Sequence, residues 1–249
     1  MTVLSVNLNK VALIRNSRDT ISPSPVEFAA AAVAAGAGGI TVHPRPDQRH
    51  IRVSDCLALA QSVDVEFNIE GNPFNIERGS FRGYENLVSD IKPYQATLVP
   101  DEEDQITSDH GWLRGGHDDE LKLIIGRLRE DCKFVSMFID ANVESVDYAL
   151  EMGVNAVEIY TGPYAKLNKD ERVLCIEEMY EIFKYIKSNN LKLNAGHDLN
   201  VENLPDLIAL NITDKDGMNS SMTDVFGVAG TGIELIPPRQ IMARIGYTF

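Results

Sequence analysis

Cysteine is nearly absent. Three occur in 249 residues, Cys56, Cys132 and Cys175, odd in number and with no C-x-x-C pair. That argues against a disulfide framework and a thiolate zinc site, and it suits a reducing compartment. Basic residues are also short: 23 Lys and Arg face 37 Asp and Glu, for a net charge of −14. A chain this acidic lacks the broad basic surface that nucleic acid requires. Small anions are a different case, because a local arginine cluster reverses the overall field. No apolar run approaches the length of a membrane span. The N-terminal MTVLSVNLNK has no charged region followed by an apolar core, so no secretory leader is expected. The expectation is a cytoplasmic protein with no membrane or nucleic-acid partner. Glycine is missing from the first turn, NLNKVALIRNSR, where an open doubly wound dinucleotide-binding sheet often carries several.

What is present is a regular alternation of short β-type runs and longer helical stretches. The runs are VLSVNLN (3–9), GITVH (39–43), VEFNIE (65–70), QATLVP (95–100), FVSMFID (134–140), AVEIYT (156–161), LKLNAGH (191–197) and DLIALNIT (206–213). Between them, Pro25 opens an alanine-rich helix that stops at Gly36 to Gly39. Ser54 reads as the cap of a helix to about Ser62. Further helices are expected to end near Asp90 and to span 117–131, 143–153 and 169–189, the last with Val173, Ile176, Tyr180, Phe183 and Ile186 at helical spacing. The connection DLNVENLPDL leaves room for only a turn or two. Eight strands with helices between them predict a single-domain α/β protein, a (β/α)8 TIM barrel over residues 1–249. Residues 218–249 are expected to form an irregular C-terminal segment.

In such a barrel the chemistry sits at the carboxyl ends of the strands. Those ends carry Asn7, Asn9, His43, Glu70, Thr97, Asp140, Glu158 with Thr161, Asn194 with His197, and Asn211. Only five histidines exist, and two of them end strands. The stretch GITVHPRPDQRHI adds Arg45, Arg49 and His50 within seven residues of His43. A strand-end imidazole beside arginines can move protons next to a bound anion. Glu70 ends a mostly apolar strand, where partial desolvation raises its proton affinity; the bland reading is an ion pair with an arginine such as Arg45. Glu158 shares a face with Ala156 and Tyr160, and an inward charge there needs a partner. Gly196 before His197 lets a substrate approach the backbone. Arg18, with Arg45 and Arg49, suits phosphate. His110 and His117 have no usual zinc spacing and read as solvated, and Trp112 as an anchor for their loop or a cover for another subunit.

The segments VNLNKVALIRNSR, GITVHPRPDQRHI, FNIEGN, LVPDEEDQIT, FIDA, VEIYTGPYA and LKLNAGHDL resemble, in order and spacing, those of the pyridoxine 5′-phosphate synthase family over roughly residues 3 to 212. The resemblance implies a (β/α)8 barrel assembling as a homo-octamer. It implies condensation of 1-deoxy-D-xylulose 5-phosphate with 3-amino-2-oxopropyl phosphate to pyridoxine 5′-phosphate, inorganic phosphate and water, with no metal or organic cofactor. Carried over by residue, His43 and Glu70 match proton acceptors, His197 a proton donor, and Glu158 a carboxylate that stabilises the transition state. Arg45, His50 and Thr107 match contacts to the deoxyxylulose phosphate; Asn7 and Arg18 match contacts to the aminoketone phosphate. The chain departs from the family at Asn9-Lys10 (Asp-His there), at Asp198 (Gly there) and at Thr213-Asp214 in NITD (NIGH there). The last change puts bulk and negative charge where a phosphate should sit. Two other readings stay open: a metal-dependent barrel lyase or hydrolase with His43, Glu70 and His197 as ligands, and a non-catalytic or altered-specificity sugar-phosphate-binding barrel.

Overall fold

Each long strand sends apolar side chains one way and polar ones the other, and that alternation decides what the sheet encloses. The computed structural model describes residues 3–18, 20–102, 105–200 and 202–206. Its strands are β1 (Ser5–Asn7), β2 (Gly39–Val42), β3 (Glu66–Gly71), β4 (Glu77–Arg78), β5 (Phe81–Arg82), β6 (Gln95–Leu98), β7 (Phe134–Ile139), β8 (Ala156–Tyr160) and β9 (Lys192–Gly196). Seven of these form one parallel sheet in the order β1-β2-β3-β6-β7-β8-β9, while β4 and β5 make a small antiparallel hairpin. Helices α1 (Asn9–Asn16), α2 (Pro25–Ala34), α3 (Val53–Ser62), α4 (Tyr84–Ile91), α5 (Asp118–Asp131), α6 (Val143–Met152), α7 (Gly162–Ala165) and α8 (Lys169–Ser188) connect them.

Ile40, Val42, Ile69, Leu98, Met137, Ile139 and Ile159 point outward and join the main apolar core with Leu59, Leu87, Ile125, Ala149 and Ile186 of the helices. The alternate positions, Thr41, Asn68, Glu70, Thr97, Ser136 and Glu158, are polar and just as buried. They face the concave side. Hydrogen bonds cross that side: Ser5 Oγ to Thr41 Oγ1 at 2.7 Å, Thr97 Oγ1 to Asn68 Oδ1 at 2.9 Å, and Asn194 Nδ2 to Gln95 Oε1 at 3.3 Å. Lys192 Nζ on β9 reaches Glu66 Oε2 on β3 at 2.9 Å. In a flat sheet four strand steps would separate these two strands by roughly 19 Å. The sheet is therefore curled into a half-barrel whose inner wall is polar.

Local sequence explains the helix ends. Ser24 caps α2, with Pro25 at the first position. Asn168 and Glu171 form a reciprocal capping box on α8. Gly153 ends α6 at a φ of 83°, the left-handed conformation that favours glycine.

Several expectations need correction. The stretch from Asn9, expected to finish the first strand and enter a turn, is helix α1, which buries Val11, Ala12 and Arg15. Ser54 lies inside α3 and does not cap it. Arg52 precedes the helix, and Asp55 accepts from the Arg52 N–H at 2.8 Å. The hairpin was not expected. The eight-stranded closed barrel is not seen among the described residues: the sheet has seven strands, with β1 and β9 at its edges. Asp206, expected to begin the eighth strand, belongs to a helical turn over 204–206. Residues 207–213 and the expected irregular segment 218–249 lie outside the described residues.

Candidate active site

His43 and His197 directly follow β2 and β9, Glu70 is the penultimate residue of β3, and Glu158 lies at the middle of β8, facing the concave side. His43 Nδ1 lies 3.7 Å from Glu70 Oε2 and its Nε2 3.9 Å from Asp101 Oδ2. His43, Glu70, Asp101 and Glu158 are all buried. Asn9 Oδ1 accepts from the His43 N–H at 2.8 Å, so the first turn of α1 fixes the end of β2. Glu158 pairs in register with Asn194 on β9, and its carboxylate lies so close over Gly196 that a Cβ there would overlap it. Thr161 Oγ1 is 2.6 Å from Gly196 O and 2.5 Å from His197 O, which holds the chain as His197 turns to a φ of 88°. The His197 ring packs on Phe138 and Tyr160, with centroids 4.9 and 5.7 Å away.

Burial dominates the electrostatics. It drives the proton affinity of His43 well below the ordinary imidazole value, and Arg45, His50, His197 and Arg49 add to the fall. It drives Glu70 well above the ordinary carboxylate value, helped by the charges of Glu158 and Asp101 and opposed by Arg45. Glu158 is pushed up by burial too. His197 is lowered by burial, with Asp198 and Asp101 opposing. The imidazoles are thus held toward neutral and the carboxyls toward the acid form. Direct contacts join His43 to Glu70 and to Asp101, and join Asp101 to Arg45.

Arg45, only 5 % exposed, donates to Asp101 and, at 2.7 Å, to Gln105 O. The bland expectation for Glu70 is therefore corrected: the partner of Arg45 is Asp101, and Glu70 faces His43. His50 sits 6.1 Å from the His43 ring, centroid to centroid. Its Nδ1 accepts from Ile51 N–H, and burial beside Arg45 and Arg49 lowers its pKa to about 4. Asn7 is exposed at the edge of the sheet, and its Oδ1 accepts from the Asn9 N–H at 2.9 Å. Lys10, Arg18, Thr107 and Asp198 are exposed. Thr213 and Asp214 lie outside the described residues. His110 and His117 are exposed, beside Asp109 and Glu120. Trp112 anchors its own loop by donating to Leu98 O at 2.9 Å. Among the described residues no group of three His, Cys, Asp or Glu side chains is arranged to hold a metal ion.

Sequence reasoning missed Asp101, whose only signal was its place just beyond the end of β6. It also missed Thr161 as the brace of His197, and Arg15 and Asn16, which hold the loop carrying His50.

Comparison with known proteins places this site in context. The family of pyridoxal phosphate biosynthesis protein PdxJ matches residues 4–216. A pyridoxine 5′-phosphate synthase of Xanthomonas axonopodis pv. citri is 43% identical over 212 residues, covering 84% of this chain and 83% of the relative. One from Xylella fastidiosa (strain 9a5c) is 42% identical over 224 residues, covering 85% of each. A solved chain of the Amycolatopsis orientalis BexX/CysO complex aligns at a TM-score of 0.48 with 13% identity, over 84% of this chain and 77% of that one, too slight a likeness to carry weight. A match across most of the chain, at more than two-fifths identity to its members, means that this chain belongs to the PdxJ family of pyridoxal phosphate biosynthesis proteins.

Proposed function

We infer that the chain is a pyridoxine 5′-phosphate synthase acting in vitamin B6 biosynthesis. It joins 1-deoxy-D-xylulose 5-phosphate to 3-amino-2-oxopropyl phosphate, giving pyridoxine 5′-phosphate, phosphate and water. The observation that carries this is the family match over residues 4–216. The site has the groups the chemistry needs. Imine formation, dehydration and loss of phosphate each require a proton to be taken or given, so several groups must take turns. In this reading His43 and Glu70 take protons, His197 returns one, and Glu158 stabilises the transition state. Burial that keeps the imidazoles neutral and raises the proton affinity of the carboxyls leaves a free base and an acid side by side for such transfers.

Arg45, His50 and Thr107 are proposed to hold the deoxyxylulose phosphate, and Asn7 and Arg18 the aminoketone phosphate. Asn9, Lys10, Asp198, Thr213 and Asp214 are proposed to border the second phosphate, where their chemistry differs from the family pattern. A closed (β/α)8 barrel is proposed on the family resemblance alone. The family resemblance extends the proposal to a cytoplasmic homo-octamer, which light scattering would test. Incubation with both substrates and mass analysis tests the activity: pyridoxine 5′-phosphate is expected, and binding of deoxyxylulose phosphate with no product contradicts it.

A further inference from the structure

Asp101 sits where three groups of the site meet. It lies three residues beyond β6 and is 3 % exposed. Its Oδ2 accepts from Arg45 and, at 2.7 Å, from Ser108 Oγ, and it faces His43 Nε2 at 3.9 Å. The opposite nitrogen, Nδ1, faces Glu70 at 3.7 Å. Neither distance is a hydrogen bond, but contacts of this kind tighten when substrate is seated. The two carboxyls differ in what they offer the ring. Glu70, held toward its acid form, can donate to Nδ1. A carboxylate paired with Arg45 can only accept. The second oxygen of Asp101 is buried with no hydrogen-bond partner among the described residues, so acceptor capacity remains there.

The geometry points to Asp101 as a positioning residue for His43: it holds the imidazole in the Nε2–H tautomer, fixes Arg45 beside it, and leaves Nδ1 as the atom that exchanges protons. A buried carboxylate on one imidazole nitrogen sets the tautomer and orientation of the other. The inference rests on the synthase reading for its chemistry, but not for its geometry.

Nitrogen-15 NMR of the histidine rings tests the geometry without substrate. In the wild type, His43 is expected as the Nε2–H tautomer, and Nδ1–H there overturns the inference whatever any variant does. In Asp101→Asn the charge is gone and the amide can turn either end to the ring, so the Nδ1–H form should rise to about a third or more; an unchanged tautomer overturns it. With both substrates, kcat of Asp101→Asn should fall about 30-fold, and KM for deoxyxylulose phosphate should rise as well because Arg45 loses its partner. A loss confined to KM also overturns it. Ser108→Ala, which keeps the carboxylate, should leave tautomer and kcat near wild type. A shifted tautomer in a protein that forms no product leaves the positioning role standing and defeats the synthase reading; product with no shift defeats the positioning role alone.

Discussion

His43 Nδ1 and Glu70 Oε2 face each other across 3.7 Å of buried space, one group held toward its free base and the other toward its acid form. Both groups are uncharged at rest, and moving the proton from the carboxyl to the imidazole makes a buried ion pair whose charges burial penalises.

That arrangement has a cost that pH reveals. The folded-state pKa of Glu70 is raised above its ordinary 4.5, so the native chain binds this proton more tightly than the unfolded one. Its contribution to stability is full below pH 4.5 and is lost as pH rises through the folded value. Glu70→Gln keeps the neutral, donor-bearing shape at every pH. Thermal melts at pH 8 should therefore show the variant above wild type, by about 2–4 °C for each kcal/mol of burial penalty removed. The gap should shrink on acidification toward pH 4.5. A variant that melts below wild type at pH 8 contradicts this account of the pair.

Asn16 is the brace of the phosphate-side loop. Its Nδ2 donates to His50 O at 2.7 Å and to Arg49 O at 3.0 Å, while Arg15, paired with Asp55, adds a bond to His50 O at 3.3 Å. Asn16→Ala removes the bond to Arg49 O and leaves His50 O to Arg15 alone, a loss of about 1–3 kcal/mol. Because the loop carries Arg49 and His50, KM for deoxyxylulose phosphate should rise about tenfold while kcat falls less than threefold. Steady-state kinetics showing the reverse split would place the effect elsewhere.

Gly196 is required by contact. Any Cβ there overlaps the Glu158 carboxylate, so Gly196→Ala must displace Glu158 or the β9 backbone that leads into His197. A shift of about 1 Å in a reacting group costs on the order of a hundredfold in rate. Turnover should fall at least tenfold with circular dichroism unchanged. Full activity in the variant would mean that Glu158 does not act from this position.

Much of this was readable in the residues because barrel strands are short apolar runs bounded by helices: the ends of the runs at β2, β3 and β9 drew attention to His43, Glu70 and His197, and alternation along β8 drew it to Glu158. What the pattern hid had physical causes. Helix α1 begins at once after β1 with no capping side chain, so NKVALIRN reads as a turn. The strands of the hairpin are two residues each, below any periodicity. Asp101 opens the acidic run DEED, which reads as a solvated loop, and only folding brings it onto Arg45, 56 residues earlier. Glu70 and Arg45 are a natural charge match in sequence; geometry gave Arg45 to another acid.

A double-mutant cycle tests most directly whether His43 and Glu70 act as one proton-handling unit. Product formation from both substrates would be measured for wild type, His43→Asn, Glu70→Gln and the double variant. Each single change should lower kcat by about 10²–10⁴, and the double variant should be no worse than the weaker single one. Losses that multiply, or near-normal turnover in either single variant, would contradict it.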